Sequence, residues 1–229
     1  MKISFLGIDV AEGKVKYKDD KLNSLVEKFS PQKVSPFFAE VVKEDFQHAD
    51  CIVVTKEKVL DLLIIDIDKM ETRLQNSKDE PEKQLVQKCL QNLEMEIPLC
   101  DAAFSQQEML LLRGLAPLSL KPTLVTEGAM DVNDLIKKAL EKSNMIFFYT
   151  AGKKEVKAWP VTKDLPVVEC AGKIHSDLER GFIKAEIVNT ADFLTVHNMQ
   201  EAKINGLVKL VDRDYLVQDG DILDIRFNV

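Results

Sequence analysis

Three titratable residues occupy alternate positions near the C-terminal third of the chain, namely His175, Asp177 and Glu179. In a β-strand this spacing places the three side chains on one face, and an imidazole beside carboxylates is suited to general acid–base catalysis. No nucleophile or metal partner shares that face. A turn or strand edge stabilised by hydrogen bonds is therefore the favoured interpretation, and acid–base catalysis is the alternative.

Basic and polar residues around this segment are suited to recognising a partner. We predict a recognition surface built from Lys153, Lys154, Lys157, His175, Asp177, Arg180 and Lys184. The structural alternative is that these charges are solvated separately. Residues 181–186 alternate as a central strand, with Phe182 and Lys184 on one face and Ile183 and Ala185 on the other. Trp159, the only tryptophan, fits a core position better than a base-stacking platform.

The four cysteines do not form a metal-binding motif. Cys51, Cys89, Cys100 and Cys170 include no CxxC pair, and no paired histidines lie near them in the sequence. Reduced thiols in a cytosolic protein explain these residues better than metal ligands do. We therefore predict neither a metal ion nor a cofactor.

Composition and charge indicate a soluble globular chain. A length of 229 residues with 45% hydrophobic residues is enough for one or two domains with a buried core. The net charge of −7 argues against non-specific binding of nucleic acid by the field of the whole protein. Residues 1–8 are too short for a signal peptide, and no window reaches the length of a membrane span. We expect a cytoplasmic protein.

The first quarter of the chain alternates short strands with one helix. Residues 2–8 have the pattern of a buried strand, and residues 37–42 and 51–55 are short runs rich in Val, Ile and Phe. Residues 20–28 carry apolar side chains at helical spacing, and Pro31 follows the predicted end of that helix.

The middle of the chain predicts an antiparallel helical hairpin. From Lys56 to about Gln75 apolar residues recur in steps of three and four, and Pro81 suits the first turn of a second helix. We expect the two apolar stripes to pack on each other, although a partner-binding surface is the alternative.

Capping residues mark the helices that follow. Ser105 and Glu108 form a capping box for a brief helix, and Asp131 caps another that ends near Asn144. Between them, residues 118–125 return to strand character. From Ile146 onward we predict a strand-rich domain with turns at 151–152, 171–172, 205–206 and 219–220 and a single helix over residues 190–197. One helix against a small mixed sheet is the β-grasp pattern.

The C-terminal block resembles one known family. The stretches that carry the resemblance are residues 155–159, 174–186 and 215–229, the last ending in Arg226-Phe227-Asn228-Val229. This block resembles the C-terminal segment of the YchF (Obg-like) branch of translation-factor-related NTPases. The resemblance implies a TGS domain, a ubiquitin-like β-grasp unit, and it implies RNA, ribosomal or regulatory protein partners.

The resemblance extends toward the N-terminus in pieces. Residues 13–31 look like the segment that follows the first switch region, residues 118–123 look like the entry to a core strand, and the hairpin looks like the family's helical insertion. The predicted fold class is α/β, with a reduced Rossmann-like, GTPase-derived sheet. We expect this core in residues 1–55 and 116–145, the hairpin insertion in residues 56–115 and the β-grasp domain in residues 146–229.

Three nucleotide-binding elements of the family lack their motifs in this sequence. No GxxxxGK[ST] occurs, and Val15 stands where the Gly13-Lys14 pair would need a hydroxyl. Residues 43–46 contain no glycine for the second switch, and residues 126–130 lead straight into a helix where base recognition is expected. We predict no catalytic and no nucleotide-binding residues, and hence no enzyme.

The favoured function is therefore a shortened, degenerate member of the family that binds a ribosomal, RNA or protein partner through its C-terminal domain. The alternative is a protein that still binds ATP or GTP through the remaining core. Because excision of loops and a helix from a doubly wound sheet uncovers apolar surface, we also predict a homodimer.

Overall fold

The computed structural model describes residues 1–228, which form two compact α/β units. Unit 1 comprises Met1–Val15 and Ala39–Ser143, and unit 2 comprises Lys16–Phe38 and the chain from Asn144 onward. The segment Lys16–Phe38 was expected in the N-terminal core, because it lies between two of its predicted strands. It instead packs with the C-terminal part of the chain, through contacts that are described below.

The strands and helices of the described residues are numbered in chain order. The strands are β1 (Lys2–Leu6), β2 (Gly13–Lys16), β3 (Lys33–Ser35), β4 (Phe38–Lys43), β5 (Cys51–Thr55), β6 (Thr123–Thr126), β7 (Met145–Ala151), β8 (Glu155–Thr162), β9 (Phe182–Asn189), β10 (Lys209–Val211) and β11 (Asp221–Phe227). The helices are α1 (Asp20–Phe29), α2 (Val59–Asn76), α3 (Glu80–Glu94), α4 (Gln106–Leu115), α5 (Val132–Lys142), α6 (Val167–Ile174), α7 (Ser176–Arg180), α8 (Thr190–Leu194) and α9 (Met199–Ile204).

Unit 1 is built on a five-stranded sheet with the order β2-β4-β1-β5-β6. Strand β1 runs parallel to β4 and β5, and β5 runs parallel to β6. All five residues of β5 are buried, as expected for a parallel strand covered on both faces. The predicted strands at 37–42 and 51–55, and the α/β class, are confirmed.

The helical hairpin is present and its two stripes face each other. Buried residues of α2, among them Leu62 and Met70, pack in one cluster with Val86, Cys89 and Leu93 of α3. Asp79 caps α3, and Pro81 lies in its first turn, as predicted. The apolar stripe of the hairpin is therefore core.

The opposite side of α2 carries apolar side chains at the surface. Leu60, Ile64 and Ile65 of this helix are exposed. Such surface is what the homodimer prediction relies on. The homodimer stays a prediction.

The region before β6 differs from its predicted strand. Residues 118–120 form a short 3-10 turn, and the strand is limited to Thr123–Thr126. The backbone N–H groups of Leu118 and Ser119 donate to the buried carboxylate of Asp66 on α2, each at 2.7 Å. Because those donors are used by a side chain, they are not available to a sheet ladder.

Unit 2 is built on a six-stranded mixed sheet with the order β10-β9-β11-β7-β8-β3. Helices α6 and α7 cover one face, where Phe148 belongs to a buried cluster with Val167 and Cys170. Helix α1 covers the other face, to which the next residue, Tyr149, points. Its hydroxyl donates to Asp19, which precedes α1, at 2.8 Å.

The segment 16–38 is held in unit 2 by strand pairing as well as by this buried hydrogen bond. Strand β3 pairs in parallel with β8, so that Val34 lies opposite Val156. Tyr17 and Phe37 both pack against the ring of Phe147 on β7. These long-range contacts explain why the segment joins the C-terminal sheet.

The expectation of a single helix after residue 146 is wrong. Four helices, α6 to α9, lie between β8 and β10. Helix α6 buries Val167, Cys170 and Ala171, which have the three- and four-residue spacing of an amphipathic helix. Residues 171–172, predicted as a turn, lie inside this helix.

Strand β9 is also less regular than predicted. Its pairing with β11 contains a register shift at Arg226 and Phe227, so that Phe227 lies opposite Phe182 while Arg226 lies opposite Lys184. This bulge leaves Ile183 exposed and brings Phe182 into the same cluster as Ala185. The predicted alternation of side chains between the two faces of β9 is therefore wrong at the first residues of the strand.

Over residues 1–228, no helix is both long enough and apolar enough to cross a lipid bilayer.

Candidate functional site

The predicted recognition residues fall on four different elements of unit 2. Lys153 and Lys154 form the turn between β7 and β8, and Lys157 follows on β8. His175, Asp177 and Arg180 lie at the junction of α6 and α7. Lys184 lies on β9. The sheet and the two helices therefore decide which of these residues belong to a common site.

An open cleft of about 700 Å³ lies between the β7–β8 hairpin and the C-terminal half of β11. It is lined by residues 150–155 of the hairpin, residues 222–225 and Phe227 of β11, Ile174 and Leu178 of α6 and α7, Phe29 of α1 and Met199 of α9. Clefts of this size, with apolar walls and a few polar groups, are typical binding sites. Of the predicted residues, Lys153 and Lys154 line this cleft.

The His175 segment adopts a helical geometry and not the predicted strand. His175 is the residue between α6 and α7, and its Nδ1 accepts the backbone N–H of Asp177 at 3.1 Å. Asp177 in turn accepts a hydrogen bond from Arg180 at 2.9 Å. Ile174 is the last residue of α6 and Leu178 lies in α7, and both apolar side chains line the cleft. The polar residues between and beside them form hydrogen bonds at the junction of the two helices. The strand-face geometry on which acid–base catalysis depended is therefore wrong.

Lys157 is held over the tryptophan ring. Its Nζ lies 3.4 Å from the ring centroid of Trp159, in cation–π geometry. The indole Nε1 donates to Thr150 Oγ1 at 3.0 Å, and the ring stacks on Phe148 at a centroid distance of 6.0 Å. Trp159 is thus a partly buried packing residue at the edge of the core, and its one polar group is satisfied.

Lys184 is paired away from the cleft. Its Nζ lies 2.9 Å from Asp212. On the same strand, Glu186 is buried and forms ion pairs with Lys203 and Arg226. The hydrogen bond from Lys203, assisted by that from Arg226, lowers the pKa of the Glu186 carboxyl. These contacts fasten β9 to β11 and α9.

Sequence reasoning missed the β11 side of the cleft. The alternation of Leu223, Ile225 and Phe227 was visible in the sequence. However, that pattern predicts an ordinary strand and gives no indication that, in the described residues, its ladder with β7 is limited to the pair of Ile222 and Tyr149. Phe29 and Met199 come from distant segments, and only the fold brings them to the same place.

A second candidate site is the carboxyl edge of the unit 1 sheet, where open α/β sheets bind ligands. Strand β1 is followed there by Gly7, which has a φ of +79°. A Cβ atom added to Gly7 would lie 2.3 Å from Thr55 Oγ1 and 2.9 Å from Lys58 Cγ. The backbone at Gly7 is therefore packed against the side chains of Thr55 and Lys58.

The Gly13-Lys14 pair has no phosphate-binding geometry. It begins strand β2, whereas a phosphate-binding loop leads into a helix whose N-terminal N–H groups point at the ligand. The two lysines after β5 are already paired, Lys58 with Asp61 at 2.8 Å and Lys56 with Glu127 at 3.7 Å. Within residues 1–228, the buried Thr126 Oγ1 at this edge has no hydrogen-bond partner.

The described part of the chain contains no group of three or more His, Cys, Asp or Glu side chains arranged to hold a metal ion. The cysteines are free thiols. Burial raises the pKa of Cys51, Cys89 and Cys170 to about 12, so these side chains stay protonated at neutral pH. They behave as small apolar core residues.

Comparison with family models concerns unit 2. Residues 145–228 match the family model YchF-GTPase_C, described as a protein of unknown function (DUF933). The chain is similar to the ribosome-binding ATPase YchF of Mycoplasma genitalium (43% identity over 98 residues, 43% of this chain) and to that of Bacillus subtilis (45% over 105 residues, 46% of this chain). These alignments span 27% and 28% of the two relatives.

The likeness of the folds extends further than the likeness of the sequences. The solved structure of the Schizosaccharomyces pombe YchF GTPase superposes with a TM-score of 0.82, covering 99% of this chain and 97% of that one. Its sequence identity of 17% supports a common fold and nothing beyond it. Residues 145–228 thus match the YchF GTPase C-terminal family model, and over less than half of its length the chain is similar to YchF proteins.

Proposed function

We propose that this protein is a non-catalytic member of the YchF family that binds a ribosomal partner through unit 2. The observation that carries the proposal is the cleft beside β11, whose lining, apart from Phe29, lies within the residues 145–228 that match the YchF GTPase C-terminal family model. Relatives similar to part of this chain are named ribosome-binding ATPases. Lys153 and Lys154 at its wall supply positive charge suited to an acidic partner surface. RNA and a regulatory protein are the other partner classes that the family resemblance implies.

The loss of catalysis is supported by the geometry at Gly7. Nucleotide hydrolysis needs backbone amides around the phosphates, with a lysine and a hydroxyl for phosphate and magnesium. Here Thr55 and Lys58 pack against Gly7, and Lys14 lies on a strand. The chain therefore acts in this proposal as a binding protein derived from an NTPase.

The proposal includes a β-grasp, TGS-like organisation of unit 2 and a cytoplasmic location. In support, the mixed sheet of unit 2 carries α6 and α7 on one face and pairs β9 antiparallel with β11. Ribosomes are cytoplasmic assemblies, so a ribosomal partner requires the protein to share that compartment.

Ribosome binding is expected to depend on the cleft lysines. The double substitution Lys153→Glu/Lys154→Glu should lower the fraction of protein that co-sediments with purified ribosomes by about tenfold, since it places two like charges opposite the acidic surface. The matched control is Lys137→Glu/Lys138→Glu, an adjacent pair of exposed lysines on α5. An equal loss of ribosome binding in both double variants would mean that the effect comes from the net charge of the protein. Unchanged ribosome binding of the Lys153→Glu/Lys154→Glu variant would contradict the proposal.

Nucleotide titration separates the proposal from residual ATP or GTP binding. The observation that favours the alternative is the unpartnered hydroxyl of Thr126 beside Thr55 at the carboxyl edge of unit 1. We expect isothermal titration calorimetry with ATP or GTP and Mg²⁺ to give no heat of binding at nucleotide concentrations up to about 100 μM. A micromolar Kd that is lost in Thr126→Val would establish the alternative.

A further inference from the structure

We propose that the cleft of unit 2 binds an extended acidic peptide of a partner, which adds as a strand to the free edge of β11. This inference rests on the proposed function, because it specifies the chemistry and the mode by which the same cleft recognises its partner. It is carried by three observations on β11, on the walls of the cleft and on the two lysines.

Strand β11 has a partner along its whole length on one side and almost none on the other. On one side all seven of its residues, Asp221–Phe227, pair with β9. On the other side its ladder with β7 is a single pair, Ile222 opposite Tyr149, in the described residues. Beyond that pair β7 continues only with β8, so the two strands separate and the cleft opens between them.

The ladder with β9 fixes which backbone groups face the cleft. Thr190 N donates to Gly220 O, which makes these two residues a hydrogen-bonded position of the antiparallel pair. Counting along the strand, Ile222 and Asp224 are bonded to β9. Leu223 and Ile225 therefore direct their N–H and C=O groups to the opposite side. For Ile225 that side is the cleft, so a donor and an acceptor are available to an added strand.

The walls of the cleft offer apolar contacts on both faces of the sheet. Ile174 and Leu178 belong to the core cluster on the α6–α7 face, together with Leu223 and Ile225. Phe29 of α1 reaches the cleft from the other face. Successive side chains of an extended peptide point to opposite faces. A peptide with apolar residues at successive positions would therefore bury side chains on both faces.

The charges beside the cleft select an acidic sequence. Within the described residues neither Lys153 nor Lys154 forms an ion pair, whereas Glu155 next to them is engaged by Lys33 and Ser35. The carbonyl groups of both lysines accept backbone N–H bonds from residues 32 and 33, which fixes the turn while the ammonium groups stay free. A carboxylate of the peptide beside this turn would meet two unneutralised cations.

The same features disfavour single-stranded RNA as the occupant. Asp224 lines the cleft and is exposed, so the regularly spaced phosphates of a strand laid along β11 would meet a like charge, whereas a peptide can confine its carboxylate to the end beside Lys153 and Lys154. The peptide accounts for the free backbone edge as well, which a nucleic acid does not use.

Panning a phage-displayed library of random dodecapeptides against the full chain tests the inference. We expect the enriched peptides to combine apolar residues with one or more Asp or Glu, and to lose at least tenfold in affinity when alternate backbone nitrogens of the apolar segment are methylated. Methylation removes N–H groups without changing side chains, so equal affinity of the methylated peptide would overturn strand addition.

Two variants of the chain complete the test. Panning on Lys153→Glu/Lys154→Glu should abolish the preference for acidic peptides, whereas Lys137→Glu/Lys138→Glu should keep it. Ile225→Pro removes a cleft-directed N–H while leaving the β9 ladder its own bonds, and it should weaken the selected peptide at least tenfold. A variant that fails to fold, seen by circular dichroism, leaves the methylation result as the deciding one.

The outcomes also separate this inference from the proposed function. If Lys153→Glu/Lys154→Glu loses ribosome co-sedimentation but panning enriches no peptide, strand addition is contradicted and ribosome binding is still supported. Enriched acidic peptides without any ribosome binding would support strand addition and contradict the proposed ribosomal partner. Displacement of a selected peptide by oligouridylate at equal concentration would show that RNA is the better occupant and would overturn the peptide.

Discussion

Replacing Asp66 by alanine is expected to lower the free energy of unfolding of unit 1 by about 3–5 kcal/mol. Asp66 lies on α2 and is 1% exposed. Its carboxylate accepts the N–H of Leu118 and the N–H and hydroxyl of Ser119, at 2.6–2.7 Å. Alanine would leave three buried donors without an acceptor, each with its own desolvation cost.

Urea unfolding followed by circular dichroism at 222 nm measures this effect, because α2 and α3 contribute much of the helical signal. The control is Asp68→Ala, an exposed aspartate on the same helix, which should change the free energy of unfolding by less than about 0.5 kcal/mol. Asp66→Asn keeps one acceptor oxygen and should fall between the two. A loss below about 1 kcal/mol in Asp66→Ala would show that the turn at 118–120 finds other acceptors.

Replacing Asp19 by alanine is expected to destabilise unit 2 by about 2–4 kcal/mol. Asp19 accepts the N–H of Leu22 at 3.1 Å and thereby caps α1. It also accepts the hydroxyl of Tyr149 at 2.8 Å. The substitution removes a helix cap and strands a hydroxyl on a side chain that is 1% exposed.

Fluorescence of Trp159 reports this unfolding, since it is the only tryptophan and lies in unit 2. The exposed neighbour Asp20→Ala is the matched control. Because Tyr149→Phe removes the stranded hydroxyl, the double variant Asp19→Ala/Tyr149→Phe should cost less than the sum of the two single variants. Strict additivity would mean that the hydrogen bond between them contributes nothing.

The same residue gives the stability of unit 2 a defined pH dependence. Burial raises the pKa of Asp19 above its ordinary value of 3.8, against the hydrogen bonds that lower it. The folded state therefore holds this proton more tightly than the unfolded state. Relative to Asp19→Asn, which cannot titrate, the wild type should lose stability as pH rises from about 3.8 through the folded pKa. If the wild type instead gains stability relative to Asp19→Asn as pH rises, the hydrogen bonds and not burial dominate the pKa of Asp19.

Local patterns in the sequence predicted much of the fold. The hairpin of α2 and α3, the capping box of α4 and the buried strand β5 follow from periodicity and caps, which act over a few residues. The resemblance of the C-terminal block to the YchF family was equally local, and the match over residues 145–228 bears it out. The recognition surface as a whole stays a prediction, because only two of its residues line the cleft.

Tertiary structure decided the features that depend on distant segments. His175, Asp177 and Glu179 alternate as in a strand, yet they lie at a helical junction, because burial of Val167, Cys170 and Ala171 against the sheet favours a helix just before them.

The sequence by itself determined the resemblance to the YchF family, the helical hairpin and the absence of a GxxxxGK[ST] motif, since each depends on residues that are near one another in the sequence. Only the tertiary structure decided that Lys16–Phe38 joins the C-terminal sheet, through Asp19 and Tyr149. It also decided that, in the described residues, the ladder between β11 and β7 is a single pair beside the cleft that Lys153 and Lys154 line. Strand neighbours and buried side-chain pairs join residues more than a hundred positions apart, and the periodicity of either segment contains no information about its partner.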